Sequence, residues 1–196
     1  MITQVFTERL EAPSSTNRYY IKKNSDFNGY NLCIIINENT GSVLPNCTGY
    51  AYGRFMECQT DVTKCRLSRA NAGSWYGNII DGYSRGSTPK LGAVMCWSNP
   101  KTGGHVAIVE RIDNNGTILT SNSAYNGSKF YLKTFRSNHY DFSVYGKGTY
   151  RFQGFIYNPT IFLPPTPTPT PTPTVEKKRK FPWFIYSGKL RKQRVK

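Results

Sequence analysis

Apolar residues fall into two kinds of pattern along this chain. Between residues 91 and 158 they gather in short β-branched or aromatic runs separated by Gly, Asn or Pro: LGAVMCW (91–97), HVAIVERI (105–112), TILTSNSAY (117–125), KFYLKTF (129–135) and RFQGFIYN (151–158). Each reads as a strand. The earlier half offers one stretch with helical spacing. In CTGYAYGRFMEC, which starts at Cys47, Ala51 stands four residues before Phe55 and Tyr52 four before Met56, so both pairs share a helix face. Asn46 is the expected N-cap. Gly49 and Gly53 lower helix propensity but fall on a single face, which could then lie close against a sheet. Helix first and strands after predict an α+β domain, with N-terminal helices packed on an antiparallel β-sheet.

The pattern stops at PPTPTPTPTPT, residues 164–174. Alternating Pro-Thr forms neither helix nor sheet, so it is expected to be an extended spacer of roughly 30 Å at about 3.1 Å per residue. Residues 1–163 are therefore read as the domain. Residues 175–196, VEKKRKFPWFIYSGKLRKQRVK, form a basic and aromatic tail too short to bury a core. Nine Lys/Arg against the single acid Glu176 give the tail +8 of the net +15. Such charge implies a polyanionic partner, and the tail is expected to grip an anionic wall polymer or a lipid headgroup layer. Nucleic acid has only the charge behind it and is not expected.

Five cysteines and two histidines cannot assemble a zinc set of the usual spacing. The cysteines, irregularly spaced, read as reduced thiols, and nothing in the sequence supports a disulfide such as Cys58–Cys65. The first residues, MITQVFTERLEAPSS, show no signal-peptide pattern, and no apolar run approaches the roughly 20 residues of a membrane span.

Two of the remaining residues suggest chemistry. Cys47 follows Pro45 and Asn46 at a helix start, where unpaired N–H groups and the helix dipole would favour a thiolate and could hold an oxyanion. His105 opens a strand after Gly103 and Gly104, which leave it uncrowded. His139, in the polar loop SNHYD, is not a comparable candidate. The hairpin signal Asn115-Gly116 joins strand 105–112 to strand 117–125. A four-residue loop (113–116) would put Asn122 opposite Ala107, on His105's face and diagonal to it, whereas a loop of odd length would reverse the parity. Glu110, though close in sequence, lies five residues along the strand on the other face and is expected to be structural or solvent-facing. Cys47, His105 and Asn122 thus make a nucleophile, base and orienting residue.

The runs NCTGYAYGRFME, KLGAVMCW and GGHVAIVERIDNNGTILTSNSAYNG, within residues 45–127, resemble the CHAP family of cysteine, histidine-dependent amidohydrolases/peptidases. The leader ERLEAPSSTNRYYI and the later FYLKT resemble phage-encoded members. The resemblance implies a papain-like fold and hydrolysis of an amide in bacterial peptidoglycan, with Cys47 as nucleophile, His105 as base and no metal or cofactor. Asn122 falls where relatives carry Glu or Asn. NAGSWYG (71–77) resembles a groove segment, making Trp75 and Tyr76 candidate substrate walls. The favoured role is a phage lysin, monomeric unless assembled in a virion, held in the host cytoplasm or the particle before it meets the wall. The alternatives are a cellular wall-remodelling hydrolase, disfavoured for lack of an export signal, and a catalytically inactive tail or wall-binding protein.

Overall fold

A computed structural model describes residues 6–14, 16–20, 34–37, 42–59, 65–68, 70–159 and 161. The expected spacer and basic tail lie outside the described residues. In chain order the elements are β1 (Ile34–Asn37), β2 (Ser42–Pro45), α1 (Cys47–Glu57), β3 (Arg85–Gly86), β4 (Val94–Ser98), β5 (His105–Ile112), β6 (Ile118–Ser123), β7 (Phe130–Phe135), β8 (Phe142–Val144) and β9 (Gly148–Ile156). β1 and β2 form a hairpin, and the main sheet is antiparallel in the order β3-β9-β4-β5-β6-β7, with β8 paired to β9.

The five apolar runs become β4, β5, β6, β7 and β9, and the helical spacing becomes α1. The expectation of several N-terminal helices is not met among the described residues. α1 is the one α-helix, accompanied by single 3-10 turns at Ala72–Ser74, Ile79–Asp81 and Tyr125–Gly127. Strands β1, β2, β3 and β8 are two to four residues long, too short for their alternation to stand out from a loop.

β4 and the first part of β5 are buried on both faces. Alternate residues Val94, Cys96, Val106 and Ile108 meet Ala51, Tyr52 and Phe55 of α1 together with Trp75. Residues between them, Met95, Trp97, Ala107 and Val109, enter a second core with Phe135, Tyr140, Tyr150 and Phe155. In that second core Phe135 of β7 and Phe142 of β8 both lie against Trp97, at ring distances of 5.3 and 5.4 Å. Side chains from distant strands thus converge on one indole, which is how the twist of a sheet this wide closes over its own apolar face.

The glycine face of α1 does not meet the sheet as expected. A Cβ on Gly53 would collide with the Tyr20 ring and the Tyr19 carbonyl, and one on Gly49 with Pro45. That face carries the leader, whose Arg9 donates its backbone N–H to Glu110 and its guanidinium to Glu57.

Glu110 is completely buried. It receives Arg54 Nε at 3.0 Å and Nη2 at 2.8 Å, and Ser121 Oγ donates to it at 2.6 Å while accepting from Tyr50 at 2.7 Å. Burial works against the charge of Arg54, but the hydrogen bonds and negative charge of Glu110 raise its pKa above the ordinary arginine value. Removing one partner of such a pair strands the other charge in the core. Arg54→Met is therefore expected to lose about 3–5 kcal/mol in urea unfolding, with much of the loss recovered in Arg54→Met/Glu110→Met. Equal stability of the single and double variants would show that the loss is packing alone.

Candidate active site

Pro45 and Asn46 set the start of α1. The Asn46 side chain accepts from the Gly49 N–H at 3.0 Å and from the Thr48 hydroxyl at 2.9 Å, capping the helix as expected. Cys47, the first helical residue, is half-buried and lines a cleft of about 580 Å³ that His105 also lines. The helix start is tied to β6, because the Ser123 hydroxyl donates to the Pro45 carbonyl.

His105 is the first residue of β5, cross-strand from Trp97. Gly104 before it has φ +95°, and a Cβ there would strike the Trp97 carbonyl and the backbone of Gly73. That glycine is needed for this close approach of the 71–77 loop rather than to leave the histidine uncrowded. Gly103, at φ +78° with open space around it, does match the expectation.

Asn122 Oδ1 lies 3.0 Å from His105 Nε2. The amide nitrogen of Asn122 donates to Thr120 O at 3.1 Å and to Thr120 Oγ1 at 3.0 Å. With both amide hydrogens taken, the oxygen faces the imidazole and can only accept. Nε2 therefore carries the hydrogen, and Nδ1 is left as the basic nitrogen.

This pairing arises by a route the sequence does not show. The hairpin loop has five residues, 113–117, closed by Asp113 N–H to Thr117 O and by Ile112 opposite Ile118. That odd loop reverses the expected parity. A bulge then reverses it again, because Val109 pairs with Thr120 while Arg111 pairs with Leu119, leaving Glu110 unopposed. Beyond the bulge Ile108 faces Ser121, and Asn122 returns to the side of His105.

Burial raises the Cys47 thiol to about 11, although the N–H groups of Val106, Thr48 and Cys47 itself favour the thiolate. The sequence expectation of a stabilised thiolate is thus overturned, since burial of the sulfur outweighs the helix start. Burial likewise lowers His105 to about 4, with the Asn122 hydrogen bond opposing this and Lys133 adding to it. A thiol is neutral below its pKa and an imidazole above, so between about 4 and 11 both are uncharged.

Trp97, Tyr131, Phe142 and Tyr150 surround the imidazole at ring distances of 5.8, 6.4, 6.4 and 6.3 Å. None was singled out from sequence, because their convergence depends on strand pairing. Among the described residues Lys147 is the one lining residue of a charged type. The expected walls Trp75 and Tyr76 do not line the cleft. Trp75 is fully buried, its indole donating to Ala70 O, and Tyr76 packs over Gly154. From the same segment, Asn71 and Ala72 do line the cleft. Glu110 is structural, as expected, and buried rather than solvent-facing. His139 is exposed. Cys47, Cys58, Cys65 and Cys96 are all free thiols, so the Cys58–Cys65 pairing is not formed. Among the described residues no three His, Cys, Asp or Glu side chains cluster as a metal set, and no helix is long and apolar enough to cross a membrane.

An antiparallel sheet that presents a histidine–asparagine pair in one cleft with a helix-start cysteine defines a class, and sequence comparison assigns it. Residues 37–124 match the CHAP domain. It is 36% identical over 80 residues to the probable autolysin SsaALP of Staphylococcus aureus, covering 40% of this chain and 29% of that protein. It is 37% identical over 62 residues to a putative hydrolase of Streptococcus mutans, covering 28% of this chain and 29% of the relative. The chain thus spans about three tenths of the length of these curated relatives. A crystal structure of N-acetylmuramoyl-L-alanine amidase from Staphylococcus aureus aligns with a TM-score of 0.38 and 21% identity, over 56% of this chain and 30% of that one.

The neutral resting pair has a measurable consequence. Alkylation of Cys47 by iodoacetamide, followed by mass spectrometry of its peptide, is expected to accelerate about tenfold per pH unit between pH 6 and 9, as only the thiolate reacts. A rate flat across that range would reveal a preformed thiolate–imidazolium pair instead.

Proposed function

We propose that this chain hydrolyses an amide bond in bacterial peptidoglycan, with Cys47 as nucleophile, His105 as base and acid, and Asn122 as the residue that orients the imidazole. The observation that carries the reading is the Asn122–His105 hydrogen bond, which frees Nδ1 as a base in the cleft that Cys47 shares. The CHAP match and the probable autolysin among the similar proteins support the substrate class.

In the first step His105 Nδ1 takes the Cys47 proton as the sulfur attacks the substrate carbonyl, giving a tetrahedral oxyanion. The imidazolium then protonates the departing amine, the C–N bond breaks and a thioacyl enzyme remains. Water, deprotonated by the same imidazole, releases the acid and restores the thiol. The N–H groups around Cys47 are the candidate oxyanion donors. A muramoyl–alanine amide and a stem or crossbridge peptide bond are the same chemistry to this centre.

The narrower expectation of a phage lysin rests on the leader and on residues 130–134. The relatives reported above come from Staphylococcus aureus and Streptococcus mutans, and the proposal is wall hydrolysis whichever genome encodes it. Within it, residues 164–174 serve as a spacer and 175–196 as an attachment segment for anionic wall polymers.

Cys47→Ala and His105→Ala should each abolish clearing of purified Gram-positive walls, while EDTA leaves the native protein active. Full clearing by Cys47→Ala would exclude the sulfur mechanism, and no clearing by the native protein would favour the inactive wall-binding alternative. Mass spectrometry of the products assigns the bond: a new amine on alanine marks an amidase, and one on glycine or a diamino acid an endopeptidase. Deleting residues 164–196 is expected to weaken wall binding, most at low salt, and to spare turnover of soluble fragments.

A further inference from the structure

The imidazole of His105 has a second neighbour at the same nitrogen. Tyr131 Oη lies 3.4 Å from Nε2, alongside Asn122 Oδ1 at 3.0 Å. Asn122 and Tyr131 are directly opposed on β6 and β7, so both side chains leave the same face and flank the ring. The Tyr131 ring is nearly parallel to the imidazole, 15° apart, and it lines the cleft.

The hydrogen-bond inventory decides what this contact can be. Nε2 carries a hydrogen because Asn122 offers it only an acceptor. The phenol oxygen can therefore meet it only as a second acceptor, with its own hydrogen directed elsewhere. Burial, with Cys47 and Tyr150 adding to it, raises the Tyr131 pKa to about 12, so the phenol remains neutral.

A second acceptor matters because of what else faces His105. From α1 there is Cys47, from β7 Lys133 and Tyr131, from β9 Tyr150, and Lys147 lies on the turn between β8 and β9. No carboxylate is among them, and Lys133 acts against a positive imidazole. Once His105 accepts the thiol proton on Nδ1, the negative charge formed with it lies on the reacting centre, and at Nε2 the imidazolium has only neutral dipoles to lean on.

We propose that Tyr131 is a positioning residue, whose phenol oxygen shares the Nε2–H of His105 with Asn122 and supports the imidazolium that exists only during the reaction. The inference rests on the proposed hydrolysis for its purpose but not for its test. A hydrogen bond of 3.4 Å is long for the neutral ring and is expected to shorten when the ring becomes charged.

Tyr131→Phe keeps the ring and removes the acceptor. The chain has two histidines, and His139 is exposed and serves as an internal reference. NMR titration in the Cys47→Ala background is expected to move the His105 pKa further down in Tyr131→Phe, leaving His139 in place. At pH 7 the Nε2–H proton signal should shift upfield by the loss of one acceptor. Both readouts stand whether or not the protein cuts peptidoglycan. On walls, Tyr131→Phe should lower kcat about fivefold, the effect of about 1 kcal/mol, with KM unchanged. The loss should be larger in an Asn122→Ala background, where Tyr131 is the remaining acceptor. A folded Tyr131→Phe with an unaltered Nε2–H signal and unaltered His105 titration would overturn the proposal. A fall in kcat alone, without either spectroscopic change, would overturn it as well, since it would assign Tyr131 to the substrate rather than to the histidine.

Discussion

The placement of Cys47 relative to His105 depends on one buried carboxylate. Glu110 is bonded at once to Arg54 of α1, to Ser121 of β6 and to the backbone of Arg9 in the leader. A charge with no access to water tolerates little displacement of its donors, because any gap leaves it unsatisfied in a medium of low dielectric. Such a pair adds little net stability compared with a well-packed apolar cluster. Its contribution is positional: it sets where α1 sits on β5 and β6, and so where the first residue of α1 meets the first residue of β5.

Strand β6 carries that constraint into the site by its alternation. Ser121 and Ser123 point to the helix side, where they hold Tyr50 together with Glu110 and the Pro45 carbonyl. Asn122 between them points the other way and holds His105. One short strand thus fastens both the helix that Cys47 opens and the imidazole of His105, with consecutive residues assigned to opposite faces. The bulge at Glu110 gives the same strand pair its second function, since the unopposed residue is the one that enters the buried network.

The strands, the helix start, Cys47 and His105 were legible because each has a local signature: a β-branched run, an N-cap, a cysteine or histidine beside it. What was not legible depends on counting residues through a hairpin. The loop turned out to have five residues where four were expected, and the bulge added one more reversal. The expectation for Asn122 survived because the two reversals cancel, so agreement at that residue is weaker support for the parity argument than it looks. Trp75 and Tyr76 failed for a related reason. Aromatic residues in a loop of this kind serve either cleft or core, and the deciding quantity is the close packing of Gly73 against Gly103 and Gly104, which turns the loop's first residues toward the cleft and Trp75 beneath it.

The aromatic enclosure of His105 accounts for the electrostatics of the cleft. Walls of Trp97, Tyr131, Phe142 and Tyr150 exclude water from the imidazole, and exclusion penalises the charged form whatever the neighbouring dipoles do. The same reasoning applies to the sulfur, where three N–H groups fail to offset burial. In the proposed mechanism such a site would hold its proton on the thiol until a carbonyl arrives to take the sulfur's electrons, so that proton transfer and attack would be coupled rather than sequential. On the same proposal a neutral asparagine would suffice as the third residue. A carboxylate in that position would attract the proton to the imidazole before substrate binding, whereas an amide leaves the resting pair neutral and favours the imidazolium only to the extent of a hydrogen bond. The stabilisation that a charge would have supplied must then come from several dipoles, which is the reason to look for a second acceptor at Nε2 and to expect the backbone donors at the start of α1 to matter more here than beside a charged partner.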